Sequence, residues 1–185
     1  MIADKDRSGY IGASDTRFVM GNWNTKTFEN WWREKQGIAR SDFTNEAMQT
    51  GSAYEHKILD SLGIVGLEKD RQVIIDRLRV NLDGNTQTKI YEVKTYNSRK
   101  EFKVSKVYRE QVNVEMYALG IHEACIVAYG LEEEDYRNFF RKVDKDRISF
   151  HEIMYDMEFI QRYEVRLRYL SQCLKDGRFP QEGDV

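Results

Sequence analysis

Proline is nearly absent: Pro180 is the only one in 185 residues. There is no glycine- or serine-rich tract either, so no linker is visible, and residues 1–185 read as one domain with room for a core. No run of 18 apolar residues occurs, which argues against a membrane span and a membrane partner. The opening Met1-Ile2-Ala3-Asp4-Lys5 lacks the apolar stretch of a secretory signal. Cysteine is scarce: Cys125 and Cys173 lie far apart and read as free thiols of a cytoplasmic protein. They are too few for the four ligands of an iron–sulfur cluster. No internal repeat is present.

Basic excess is also missing. The formal net charge is −2, with 32% of residues charged and 41% hydrophobic. That balance fits a soluble globular chain and argues weakly against nucleic acid as a partner. Acids gathered at a metal site, and the run Glu132-Glu133-Glu134-Asp135, would pull the sum down while basic surface persists locally. Lys100, Lys103, Lys106 and Arg109 form such a cluster, although by themselves they read as a solvated helix face.

Several helices are legible. Ser14-Asp15 ahead of Thr16–Gly21 reads as an N-cap, a short helix and a glycine stop. Thr27 to Lys35 reads as a second helix ended by Gly37, with Phe28, Trp31 and Trp32 as packing aromatics. Asn45 to Leu62 reads as a third, its apolar stripe running through Met48, Gly51, Ile58 and Leu62. The slot left over on that stripe is Glu55. A buried acid needs compensation: an arginine partner, a place at the helix edge, or a metal would each supply it, and periodicity does not choose among them. Gly51, one turn earlier, would let the helix backbone approach a sheet.

From Arg71 to Thr95 the period changes to two. Gln72–Ile75, Leu78–Asp83 and Lys89–Thr95 read as an antiparallel meander, with a turn over Gly84–Thr88. Ser105 to Leu119 reads as a helix capped by Ser105 and stopped by Gly120, with Val104, Val107, Val114 and Ala118 on one arc. Gln111 falls within that arc and Glu115 near it. Cys125–Tyr129 reads as a central strand, Arg147–Ile153 as an edge strand, and Asp156–Lys175 as a final helix, structural or oligomeric rather than chemical, stopped by Gly177. The expected fold class is α/β (α+β), a central mixed sheet flanked by helices.

The chemistry concentrates in Val80-Asn81-Leu82-Asp83-Gly84 and Tyr91-Glu92-Val93-Lys94-Thr95. Residues i and i+2 of a strand share a face, so Glu92 and Lys94 project together and Asp83 can meet them from the neighbouring strand. Two carboxylates and an ammonium at one spot can hold a divalent metal and steer a water, the equipment for phosphodiester hydrolysis.

In order along the chain, Gly51-x-x-x-Glu55, Asp83-Gly84, Glu92-Val93-Lys94 and Gln111 resemble the PD-(D/E)xK nuclease superfamily. The opening Arg7-Ser8-Gly9-Tyr10-Ile11-Gly12-Ala13-Ser14-Asp15 is similar to the first motif of the lambda-exonuclease and YqaJ-type viral recombinases. Any one piece is weak; the ordered set, spanning about Arg7 to Gly120, is not. The resemblance implies a restriction-endonuclease-like core. It implies Mg²⁺, replaceable by Mn²⁺, held by Asp83, Glu92 and the Val93 carbonyl, with Glu55 in support. Lys94 would orient the attacking water, and nearby anions should keep it charged. Gln111 would hold the nucleophile, the lysine or a phosphate. Arg7 and Ser14 would lie near the 5′-phosphate of a DNA end, and Asn81 takes the place of a small polar residue that meets substrate.

The resemblance therefore implies a Mg-dependent 5′-to-3′ exonuclease acting on ends of double-stranded DNA in a phage-type recombination system. A single-strand annealing protein as partner, a homo-trimer, and a bacterial or phage-infected cytoplasm follow by the same analogy. The same residues would also serve a structure-specific endonuclease on branched DNA. A non-cleaving DNA-end-binding protein is the alternative from another class, although every catalytic position carries a competent residue.

Overall fold

The structure, a computed structural model, describes residues 8–39, 46–181 and 183. Arg7 and Asn45 lie outside the described residues. Strand β1 (Ile11–Gly12) runs into a 3-10 turn (Ala13–Asp15) and helix α1 (Thr16–Val19). Then come α2 (Lys26–Lys35), α3 (Glu46–Ser61), β2 (Glu68–Ile75), β3 (Leu78–Asn85), β4 (Lys89–Asn97) and α4 (Lys106–Leu119). Strand β5 (Glu123–Leu131), α5 (Glu133–Arg137), β6 (Ile148–Met154) and α6 (Met157–Asp176) complete the order. The strands form one mixed sheet, β1-β3-β4-β5-β6, with β2 also paired to β3. The expected class, a mixed sheet flanked by helices, is what is found.

Two cores hold helices to the two faces of the sheet. Leu78, Val80 and Leu82 of β3 join Trp32, Val112 and Met116 and the α6 residues Ile160, Tyr163, Leu167 and Leu170 in the larger one. Val93, Val127 and Tyr129 meet Tyr54, Ile58 and Leu59 of α3 in the smaller. Strand β5 is buried from Ala124 onward because it lies between β4 and β6 with both faces covered. Phe28, Trp31 and Trp32 are core aromatics, as their spacing predicts.

Local signals explain most of the helix ends. Thr25 accepts from the Phe28 amide, Ser105 from Tyr108 and Asp156 from Phe159. Gly120 and Gly177 adopt the left-handed conformation beyond α4 and α6.

Some expectations are corrected. Ser14 is not an N-cap; it is an exposed member of the 3-10 turn, and the Gly12 amide bonds Asp15 Oδ2 instead, at 2.8 Å. Met48 is 52% exposed, so the buried stripe of α3 runs through Thr50, Tyr54, Ile58 and Leu59. The stripe is displaced because a polar residue, Thr50, is taken inside. Val107 is likewise exposed, and α4 turns Val112, Val114 and Met116 inward.

Candidate active site

The pairing of β3 creates the site. Strand β2 pairs along one edge of β3 from Leu78 to Asn85, passing over Asp83. The other edge is shared: β1 pairs in parallel at Leu78 and Arg79, and β4 pairs antiparallel at Gly84 and Asn85. Between them, among the described residues, no strand pairs with 80–83 on that edge. Alternation turns Leu78, Val80 and Leu82 into the core and sends Arg79, Asn81 and Asp83 to the opposite face. A cavity of about 200 Å³ opens there, lined by these three together with Tyr10, Ser14, Lys35, Glu92, Gln111 and Glu115.

Where β3 and β4 part, Asp83 Oδ2 accepts a hydrogen bond from the Val93 amide at 2.8 Å. A strand residue directs its amide and carbonyl to the same edge, so the Val93 carbonyl faces the same gap. Lys94 Nζ donates to Glu92 Oε1 at 2.7 Å and to Gln111 Oε1 at 3.2 Å. Gln111 Nε2 donates to Glu92 Oε1 at 2.6 Å and to Glu115 Oε1 at 2.9 Å. The Lys94 ammonium also lies 5.0 Å from the Tyr108 ring centre.

Glu55 reaches the site from α3. Gly51 allows the approach: a Cβ there would stand 2.9 Å from Thr95 Oγ1 on β4. The charges acting most strongly on Glu55 are Glu92, His56, Asp70 and Lys94, with no arginine among them. Among the described residues, an arginine partner is therefore not among the leading charges that compensate it. His56 Nε2 lies 3.0 Å from Asp70 Oδ2, and ligand atoms of Glu55, His56 and Asp70 all lie within 4.8 Å of one another.

Crowding sets the electrostatics. Burial, then the Glu92 and Glu55 carboxylates, pushes Asp83 well above the usual carboxylate range. Burial and Glu92 raise Glu55 and, more strongly, Glu115. Burial works to lower Lys94, but the charge and hydrogen bond of Glu92, helped by Asp83 and Glu115, hold its pKa above the ordinary lysine value. Lys94 is thus an ammonium. Four acids facing one ammonium leave an excess of oxygen donors that resist ionising together, and a hard divalent cation would suit them.

Also on this cavity, Lys35 Nζ pairs with Asp15 Oδ2 at 2.6 Å, and the Arg79 guanidinium lies 5.2 Å from the Tyr10 ring centre. Both cations are almost wholly buried. Asn81 Oδ1 accepts from Gln72 Nε2 at 3.0 Å.

The structure thus brings Glu55, Asp83, Glu92, Val93, Lys94 and Gln111 together, with Ser14 and Asn81 on the same cavity. Sequence reasoning missed Lys35, Arg79, Tyr10, His56 and Asp70. Arg79 could have been found by carrying the β3 alternation back from Asp83 and Asn81. Lys35 had no local signal, because the α2 register alone does not say which partner its last turn meets.

No family model matches the sequence, and no curated protein matches it. Solved structures do. An alkaline exonuclease (LHK-Exo) from Laribacter hongkongensis superposes with a TM-score of 0.71 at 20% identity, covering 92% of this chain and 90% of that one. That enzyme has also been solved in complex with dAMP. A phage-related exonuclease from Haemophilus somnus 129PT superposes with a TM-score of 0.61 at 15% identity, covering 91% of this chain and 96% of that one. At these identities the likeness establishes a shared fold. Among the described residues, no helix is long and apolar enough to cross a membrane.

Proposed function

We propose that the protein is a metal-dependent deoxyribonuclease, a single nuclease domain that degrades linear duplex DNA from the 5′ end. The observation that carries this reading is the meeting of Asp83, Glu92 and Lys94 where β3 and β4 separate, with Asp83 and Glu92 lining a cavity they share with Lys35 and Arg79. Two proteins that share its fold, an alkaline exonuclease and a phage-related exonuclease, support it.

Asp83, Glu92 and the Val93 carbonyl would hold Mg²⁺ or Mn²⁺, with Glu55 in support. Bound there, the cation would supply Lewis-acid charge to the phosphate and lower the pKa of a water. Lys94, held as an ammonium, would orient the attacking water and offset charge developing on the phosphate. Both amide hydrogens of Gln111 are taken by Glu92 and Glu115, so its carbonyl would hold Lys94 and accept from that water. Ser14, Asn81, Lys35 and Arg79 would receive the terminal 5′-phosphate, with Arg7 joining them. Successive phosphates of an extended strand lie roughly as far apart as alternate residues of a β-strand, ~6.5–7 Å, so Arg79, Asn81 and Asp83 make a ruler of suitable pitch.

The 5′-to-3′ polarity, a phage-type recombination setting in the cytoplasm, a single-strand annealing partner and a trimer rest on the motif resemblance. The deciding experiment is Mg²⁺-dependent degradation of linear duplexes carrying 5′-phosphate or 5′-hydroxyl ends, with closed circles alongside. Loss of the linear 5′-phosphorylated substrate, dependent on Asp83 and Lys94, supports the reading. Cutting of circles, or indifference to the end group, favours an endonuclease.

A further inference from the structure

The amide of Gln111 is held in one orientation by three hydrogen-bond partners. Its oxygen accepts from Lys94, while its nitrogen donates to both Glu92 and Glu115. An amide nitrogen carries two hydrogens, and both are thereby used. Turned over, the amide would set its oxygen against two carboxylate oxygens and its hydrogens against the ammonium. Glu92 supplies one acceptor that resists this flip, and Glu115 supplies the second.

Glu115 lies one helical turn beyond Gln111 on α4, is fully buried, and lines the cavity. Its Oε2 is buried with no hydrogen-bond partner. A buried carboxyl group in this condition opposes folding. An apolar side chain of similar volume would fit the helix at less cost. Packing therefore does not account for an acid at this position, whereas its bond to Gln111 does.

We propose that Glu115 is a positioning residue that acts through Gln111: it fixes the amide so that the carbonyl holds Lys94, and it sets turnover without adding to substrate affinity. The inference rests on the nuclease reading, and the two fail differently. If the wild-type protein with Mg²⁺ or Mn²⁺ does not cleave linear duplex, the nuclease reading fails before any variant is compared.

The test is a double-mutant cycle on a 5′-phosphorylated linear duplex, reading kcat, KM and the thermal midpoint for Glu115→Leu, Glu115→Gln, Gln111→Leu and the Glu115→Leu/Gln111→Leu pair. Glu115→Leu should lower kcat by about 10- to 100-fold, the usual cost of losing such a supporting group, with KM within about 2-fold and a midpoint no lower than wild type. Glu115→Gln keeps an acceptor for Gln111 and should restore kcat to within about 5-fold of wild type, and the pair should lose no more than Gln111→Leu alone. Additive losses in the pair, a rise in KM at unchanged kcat, or Glu115→Gln as impaired as Glu115→Leu would overturn the proposal. A Glu115→Leu chain that does not fold, or melts well below wild type, would make Glu115 structural and overturn it equally.

Discussion

Asp83 and Val93 are joined across a sheet that has already come apart. Their 2.8 Å hydrogen bond is made beyond the last β3–β4 pair, Gly84 with Tyr91, by one residue on β3 and two on β4. It fixes one carboxylate oxygen in the gap, while the charges of Glu92 and Glu55 act on the group from nearby. Replacing Asp83 by Asn removes a charge from a crowded set while keeping the shape and an acceptor for Val93. The variant should fold, lose Mg²⁺-dependent cleavage, and bind Mn²⁺ at least about 10-fold more weakly by titration calorimetry.

Lys94 supplies the one ammonium among Glu92, Asp83 and Glu115. Lys94→Ala should reduce the single-turnover rate by about 10²- to 10³-fold, the range for loss of one preorganised electrostatic donor. Its circular dichroism should match wild type, because the removed side chain belongs to neither apolar core. Activity that survives this change would move the chemistry elsewhere.

The metal-free protein should be less stable at pH 8 than at pH 5. The pKa values of Asp83, Glu55 and Glu115 are all raised in the folded chain. An acid of this kind contributes stability that is fully present below its unfolded pKa and is lost as pH rises through the folded one. Asp135 has the opposite sense: burial opposes its ionisation, but the Arg147 hydrogen bond and others outweigh that and lower its pKa, so its contribution falls away only toward acid. The melting temperature of wild type should fall between pH 5 and pH 8, and that of Asp83→Asn should fall less. Mg²⁺ should restore wild type at pH 8 through preferential binding to the folded state, and should leave Asp83→Asn unchanged. For a chain of this length each kcal/mol corresponds to ~2–4 °C.

Gly51 gives a test of how Glu55 is delivered. Alanine normally stabilises a helix interior by ~1 kcal/mol relative to glycine. Here the added Cβ would meet Thr95 Oγ1 at 2.9 Å, and overpacking of that kind costs about 1–3 kcal/mol. Gly51→Ala should therefore destabilise in chemical denaturation and lower cleavage. Adding Thr95→Ala should recover stability. A Gly51→Ala chain more stable than wild type would mean that α3 does not rely on this close approach.

How much of this was legible in the sequence follows from where each cue resides. Glu92 and Lys94 were readable because a strand's period of two is local, and α4 was readable because Ser105 and Gly120 mark its ends. The place of Lys35 on the cavity was not. Lys35 and Asp15 meet only because β1 docks beside Leu78 and Arg79 of β3, and a two-residue strand leaves no periodic trace. The stripe of α3 was misplaced at Met48 because sequence alone did not show that the helix would turn Thr50 inward.

That cavity carries its own prediction. Arg79→Met keeps the apolar stem beside Tyr10 and removes the guanidinium. The preference for 5′-phosphorylated over 5′-hydroxyl ends should shrink by about 10-fold, equivalent to ~1.4 kcal/mol, while the rate on 5′-hydroxyl ends changes little. Equal loss on both substrates would mean that Arg79 does not read the terminal phosphate.

The most direct measurement is an anomalous difference map from crystals of the protein soaked in Mn²⁺. The account predicts a peak between the carboxylates of Asp83 and Glu92, beside the Val93 carbonyl. A map with its only peak at Glu55, His56 and Asp70, or with none near Asp83, would contradict it.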